Sequence, residues 1–113
     1  MSVENLSSIF SSIWQSLKQI GKVIKILFLT FKNIIMFFKD PDRLTKLREN
    51  RNLLAICLKE RQSNGEYNVV ECLYDEQTEE IVSAQYHSLG ISTHNLDNVT
   101  KQNFGNKDMI ILK

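Results

Sequence analysis

The stretch from Val23 to Phe38, VIKILFLTFKNIIMFF, constrains the fold more than any other part of the chain. It is almost continuously apolar, and no acidic side chain occurs from residue 5 to residue 39. Lysines recur every seven residues through this stretch and its flanks, at Lys18, Lys25, Lys32 and Lys39. On an α-helix this interval makes one line every two turns. A helix with such a surface must place its apolar side chains against lipid or protein rather than water.

Apolar residues alternate at intervals of four and three residues, which is the a/d pattern of a heptad helix. The positions are Leu6, Phe10, Ile13, Leu17, Ile20, Ile24, Leu27, Phe31, Ile34 and Phe38. Pro41 ends the pattern, because the residue before a proline is disfavoured in the α region. The spacing therefore predicts one long helix over residues 5–39, bent near Gly21.

The part of this predicted helix after residue 22 is apolar on nearly every side, which favours contact with a membrane surface. Its length of about 24 Å is short of a hydrocarbon core of roughly 30 Å. A lysine at the bilayer centre also costs about 2.5 to 3.5 kcal/mol. We therefore expect the helix to lie in the interface of an anionic membrane, with its lysines at headgroup level. The predicted contact residues are Lys18, Lys25, Lys32, Lys39, Ile24, Leu27, Phe28, Phe31, Ile34, Ile35, Phe37 and Phe38.

Two other functions use the same helical pattern and remain open. The first is a structural or accessory subunit, in which the heptad positions form a homo-oligomer or dock on a hydrophobic partner helix or groove. The second is membrane permeabilisation, for which a basic amphipathic helix is a weak signal.

A second, short helix is predicted over residues 41–50, because Asp40-Pro41-Asp42 is a typical helix start. Its basic patch consists of Arg43, Lys46, Arg48 and Arg51. The patch is typical of a juxtamembrane segment and equally of a solvated helix face. Residues 1–51 carry nine basic and four acidic side chains, whereas residues 52–113 carry five basic and nine acidic ones. This acidic second half disfavours nucleic acid as a partner.

From Leu53 onward the pattern changes to strands. Two apolar runs flank Asn64-Gly65, which predicts a hairpin with a two-residue turn. A third strand over 81–87, a helix from Asn95 to Phe104 and a last strand over 109–112 complete a βββαβ order. The predicted fold class is α+β, with a long N-terminal amphipathic helix and a short basic helix before this small, mostly antiparallel module. The predicted segments are 1–39, 40–51 and 52–113.

The two cysteines fall in the predicted hairpin. A two-residue turn at Asn64-Gly65 would place Cys57 directly opposite Cys72, within disulfide reach. Both a disulfide and a pair of packed, reduced thiols remain open.

No pattern of residues in the chain predicts catalysis or metal binding. His87 and His94 lack Cys, Asp or Glu at ligand spacing on a shared element. The acidic turn near Asp75 lacks the alternating ligands and central glycine of a calcium loop. No secretory signal pattern is present. We therefore expect a non-enzymatic protein without a cofactor, located in the cytoplasm and peripheral at the inner face of a membrane.

Overall fold

The protein is an α+β fold built on a six-stranded mixed sheet. The computed structural model describes residues 23–112. In chain order these form β1 (Val23–Leu29), α1 (Phe31–Phe38), α2 (Pro41–Glu49), β2 (Leu53–Arg61), β3 (Tyr67–Asp75), β4 (Glu80–Ile81), α3 (Ala84–His87), β5 (Leu89–Leu96), α4 (Asn98–Phe104) and β6 (Met109–Ile111).

The strands lie in the order β1-β5-β3-β2-β6, and the short β4 pairs with the end of β3. β1 runs parallel to β5, whereas the other pairs are antiparallel. The first and fifth strands are therefore neighbours although about sixty residues separate them in the chain. This pairing brings the apolar stretch that begins at Val23 into the sheet.

The two faces of the sheet carry different clusters of buried side chains. On one face, which we call the helix face, strand residues pack against Ile34 and Phe38 of α1, Leu47 of α2 and Phe104 of α4. On the second face, the buried cluster consists of strand residues alone: Ile56, Leu58, Val70, Cys72 and Tyr74.

The predicted long helix is wrong from residue 23 onward. Val23–Leu29 is a strand, and only Phe31–Phe38 is helical. The aliphatic and β-branched run suits a strand, and its parallel pairing with β5 outweighs the local heptad spacing. Thr30 starts α1 through a capping box with Asn33, which separates the strand from the helix. The earlier part of the predicted helix, with Lys18, lies outside the described residues.

The predicted βββαβ order is also wrong. The expected third strand is only the two-residue β4, followed by the helical turn α3. The third long strand of this region is β5, in which Gly90 pairs with Val23 and Val70. Asp97 rather than Asn95 caps α4. The basic helix, by contrast, does begin at Pro41 with Asp40 as its N-cap.

The hairpin register differs from the prediction by one residue. Arg61 pairs with Tyr67, so residues 62–66 form the connection in place of a two-residue turn. Cys57 consequently lies opposite Glu71, while Cys72 lies opposite Ile56. A shift of one residue moves a side chain to the other face of a sheet.

The two cysteines are therefore on opposite faces, free and buried. Burial, reinforced by the nearby Glu71, raises the pKa of Cys72 to about 12 and raises the pKa of Cys57 well above its usual value. Because the thiolate is the reactive form, neither thiol is a suitable nucleophile.

Candidate functional site

A cavity of about 240 Å³ lies on the helix face between three strands and the first helix. It is lined by Ile24, Ile26, Phe28, Leu29, Asn33, Glu71, Leu89 and Ile91. Phe28 and Asn33 are exposed and mark its opening, whereas Glu71 and Ile91 are buried at its inner end. An apolar cavity of about 150 Å³ already holds benzene, so this volume is sufficient for a small organic molecule.

Strand geometry explains why an acidic side chain lies at the inner end. In β3, alternate residues share a face, so Glu71 lies on the same side as Val69 and Leu73. The paired strands β2 and β5 place Cys57 and Leu89 on either side of it. The carboxyl group is therefore surrounded by the side chains of a hydrophobic core.

Glu71 is 1% exposed, and neither of its carboxyl oxygens has a hydrogen-bond partner in the described part of the chain. Burial raises the pKa of Glu71 from 4.5 to about 8, and the positive charge of Arg43 opposes this rise. The carboxyl group is therefore largely protonated at neutral pH. A buried polar group without a partner costs free energy, so its presence needs an explanation.

Arg43 on α2 is the basic residue whose charge acts on Glu71, but its guanidinium is engaged elsewhere. It donates hydrogen bonds to the carbonyls of Phe37 at 3.2 Å and Tyr86 at 3.1 Å. It also lies 3.8 Å from the centroid of the Phe37 ring and 3.7 Å from a carboxylate oxygen of Asp40. These contacts hold the guanidinium against α1 and α3, so Glu71 is left without an ionic partner from this side chain.

Other buried polar atoms also lack partners among the described residues. These are Arg43 Nε, His87 Nδ1, Ser88 Oγ and Thr100 Oγ1. Burial, with further contributions from Arg43 and Lys46, lowers the pKa of His87. None of these atoms belongs to a residue that lines the cavity, so Glu71 is its distinctive polar group.

A second cleft, of about 280 Å³, lies at the edge of the second face beside β1. Lys25, Glu66 and His94 contribute its charged and titratable side chains. There His94 Nδ1 is 2.9 Å from Glu66 Oε1, so the two polar groups already pair with each other. This cleft therefore has fewer unpaired polar atoms for a ligand to bind than the cavity at Glu71.

The predicted membrane-contact residues do not form one surface. Ile34 and Phe38 are buried in the core. Four are half-buried: Ile24, Phe31, Ile35 and Phe37. Five are exposed: Lys25, Lys32, Lys39, Leu27 and Phe28. Because Lys25 lies on a strand and Lys32 on a helix, no single helical line joins the lysines.

The predicted basic patch is divided in a similar way. Lys46, Arg48 and Arg51 are exposed, whereas Arg43 is half-buried in the contacts with Phe37 and Tyr86. Arg43 therefore has a structural role that the helix pattern did not indicate.

Sequence reasoning missed Glu71 and Asp97. Glu71 had a visible signal, because it is the one acidic residue inside the apolar run from Val69 to Tyr74. Asp97 had a weaker signal, namely an acidic residue three positions before Thr100 at the start of a helix.

Within residues 23–112, no helix is long and apolar enough to cross a membrane. In the same residues, no group of three or more His, Cys, Asp or Glu side chains could hold a metal ion. Comparisons with protein-family models, with curated proteins and with solved structures find no match to this chain.

Proposed function

We propose that this protein is a non-enzymatic binding protein whose cavity at Glu71 takes up a small, largely apolar molecule with one polar group. The observation that carries the proposal is a cavity that opens beside Phe28 and Asn33, has otherwise apolar walls, and includes in its lining Glu71, a buried residue whose carboxyl group has no described partner. Apolar walls supply affinity through buried area, at about 25 cal/mol per Å². A single buried polar group supplies orientation and selectivity.

Binding is favoured over catalysis because the lining contains one titratable group, Glu71. General acid–base chemistry needs a group positioned at the reacting atom, and covalent catalysis needs an activated nucleophile. Cys57 pairs with Glu71 between β2 and β3, but it does not line the cavity. Burial also raises the pKa of its thiol, so it is not an activated nucleophile.

Filling the cavity from β1 is expected to weaken binding of an apolar probe. Ile24 is half-buried and lines the cavity, so an Ile24→Trp side chain would occupy part of its volume. We expect the affinity for 1-hexanol to fall by roughly tenfold or more, equivalent to about 1.4 kcal/mol. Titration of the full chain, followed by NMR chemical shifts of the cavity residues, measures this change.

The matched control is Val23→Trp, the same substitution one residue earlier. Val23 does not line the cavity and is 69% exposed, so this variant should bind 1-hexanol like the wild type. Unchanged binding by a folded Ile24→Trp variant would locate the probe elsewhere and contradict the proposed cavity function.

A second candidate function, association with an anionic membrane surface, is favoured by the exposed apolar side chains of β1 and α1. Leu27 is 75% exposed and Met36 is 59% exposed, although both are large and apolar. The exposed lysines Lys25 and Lys32 belong to the same two elements. Apolar side chains beside lysines suit the interface of an anionic bilayer, where each lysine contributes about 1 kcal/mol.

Flotation with vesicles that contain phosphatidylserine tests this candidate. We expect the full chain to float with these vesicles at low salt and to be released at high salt, because lysine attraction is screened. Leu27→Ser together with Met36→Ser should reduce flotation, whereas Thr45→Ser, an exposed position on α2, should not. A wild-type chain that stays unbound, or remains a stable oligomer in the soluble fraction, would exclude the membrane function in favour of self-association or a protein partner.

A further inference from the structure

We infer that the outer edge of β1 is an interface at which a second copy of this chain pairs. The inference does not depend on the proposed cavity function, because it concerns the backbone and the exposed side chains of the strand. Two copies joined in this way form one continuous sheet, with six strands from each copy.

β1 is the terminal strand of the sheet, and its outer backbone is unpaired within the described chain. It pairs with β5 alone. Apart from that pairing, no backbone hydrogen bond joins residues 23–28 to another described residue. A terminal strand presents a row of N–H and C=O groups on its outer side, and these groups are a template for a further strand.

β1 also lacks most of the features that protect an edge strand from such pairing. It has seven residues, with no proline, no glycine and no bulge in its register with β5. The strand at the opposite edge, β6, has three residues. Val23, Leu27 and Phe28 of β1 are large, apolar and more than half exposed. A long, apolar and exposed edge strand favours the addition of a strand from another chain.

The position of the one charged residue makes β1 compatible with a second copy of itself. Ile26 is the middle residue of the strand, so two copies that pair antiparallel over their whole length about a twofold axis place Ile26 opposite itself. Lys25 of each copy then lies opposite Leu27 of the other. No like charges face each other, and like charges directly opposite would be destabilising.

The same register extends the surroundings of the cavity. Ile24, Ile26 and Phe28 line the cavity on the helix face, and Phe28 marks its opening. In the paired strands, Ile24 of one copy lies opposite Phe28 of the other, and an aromatic side chain packs well against a β-branched one across strands. Each copy therefore contributes an aromatic side chain beside the lining of the other copy's cavity.

Sedimentation of the full chain tests the pairing, with two charge variants at the exposed Leu27. We expect the wild type to show a monomer–dimer equilibrium. Leu27→Lys places a lysine opposite Lys25 of the second copy, whereas Leu27→Glu places a carboxylate there. The dissociation constant of the Leu27→Lys dimer should be at least about tenfold higher than that of the Leu27→Glu dimer, because each pair occurs twice about the axis. Both variants lose the same apolar side chain, so equal dissociation constants would overturn the proposed interface.

The wild type alone also tests the choice of a second copy as the occupant. A chain that stays monomeric up to about 1 mM would leave the edge to a different partner and overturn the inference. Assembly beyond a dimer would overturn it as well, because pairing about a twofold axis is closed.

A cysteine at the twofold axis tests the register directly. Ile26→Cys places two thiols opposite each other within disulfide reach, so mild oxidation should link the dimer covalently. Val23→Cys is the matched control, because Val23 lies opposite Leu29 in this register and far from its own counterpart. The native cysteines are buried in both variants. A folded Ile26→Cys chain that does not crosslink, or that crosslinks no more than Val23→Cys, would overturn the inference.

Discussion

Glu71→Met is expected to stabilise the protein more at pH 8.5 than at pH 5, by a difference of roughly 4 kcal/mol. The pKa of Glu71 is about 8 in the folded protein, against an ordinary value of 4.5. Between these values the folded state retains a proton that the unfolded state loses. The stability contributed by this group is therefore present at low pH and decreases as the pH rises towards 8. Methionine has a similar length and no charge, so it removes this dependence.

Urea denaturation of the wild type and Glu71→Met at both pH values measures this effect. Comparing the two chains cancels the contributions of other titrating groups, among them His87. Glu60→Met is the matched control, because Glu60 is an exposed glutamate on the neighbouring strand β2. The same pH dependence in wild type and Glu71→Met would contradict a buried, unpaired carboxyl group.

Asp97→Ala is expected to lower the free energy of unfolding by about 2 to 3 kcal/mol. Asp97 joins the start of α1 to the start of α4: its carboxylate accepts from Phe31 N at 3.2 Å and from Thr100 N at 2.9 Å. Loss of an N-cap costs about 0.5 to 2 kcal/mol, and a hydrogen bond to a charged group contributes about 1.5 to 3. Both effects are lost together in this variant.

Two further variants separate these contributions. Asn98→Ala, at the first position of α4, removes an exposed side chain and should change stability by under about 0.5 kcal/mol. Asp97→Asn retains an acceptor without the charge and should fall between alanine and wild type. Equal stability of Asp97→Ala and wild type, measured by urea denaturation, would show that Asp97 does not hold the two helices.

The stability that Asp97 contributes depends on pH with the opposite sign to that of Glu71. Burial would raise the pKa of Asp97, but hydrogen bonds from Thr100 and Phe31 outweigh it and lower the pKa from 3.8. Its stabilising contribution is therefore present at neutral pH and is lost as the pH falls through the lowered value.

Local patterns predicted those elements whose determinants are close together in the chain. Asp40-Pro41 predicted the start of α2, because a side-chain cap and a proline act within one turn. The alternating runs on either side of Asn64-Gly65 predicted the β2–β3 hairpin. Its register was missed because the connection spans residues 62–66, with Gln62 N donating to Glu66 O at 2.7 Å.

The nature of the stretch from Val23 to Phe38 could not be predicted from its own residues. Its heptad spacing suits a helix, whereas its β-branched and aliphatic residues also suit a buried strand. The decisive interaction is the pairing of β1 with β5, which places Ile24 beside Ile91. The hydrogen bond from Asp97 N to Leu29 O, at 3.0 Å, belongs to the same long-range contact.

The cavity also could not be predicted from the sequence, because β1, β3, β5 and α1 each contribute part of its lining. The sequence places Glu71 in an apolar strand, but only the sheet order shows that this residue lines a cavity. A side chain that lowers stability at neutral pH and has a strongly shifted pKa is typical of a functional site.

The most direct test of a functional, unpaired Glu71 is the titration of its side-chain carboxyl carbon by ¹³C NMR in the full chain. The midpoint is expected near pH 8 in the free protein, because the group is buried without a partner. A midpoint near 4.5 in the free protein would show a solvated or already paired carboxylate, and would contradict both the site and the proposed function.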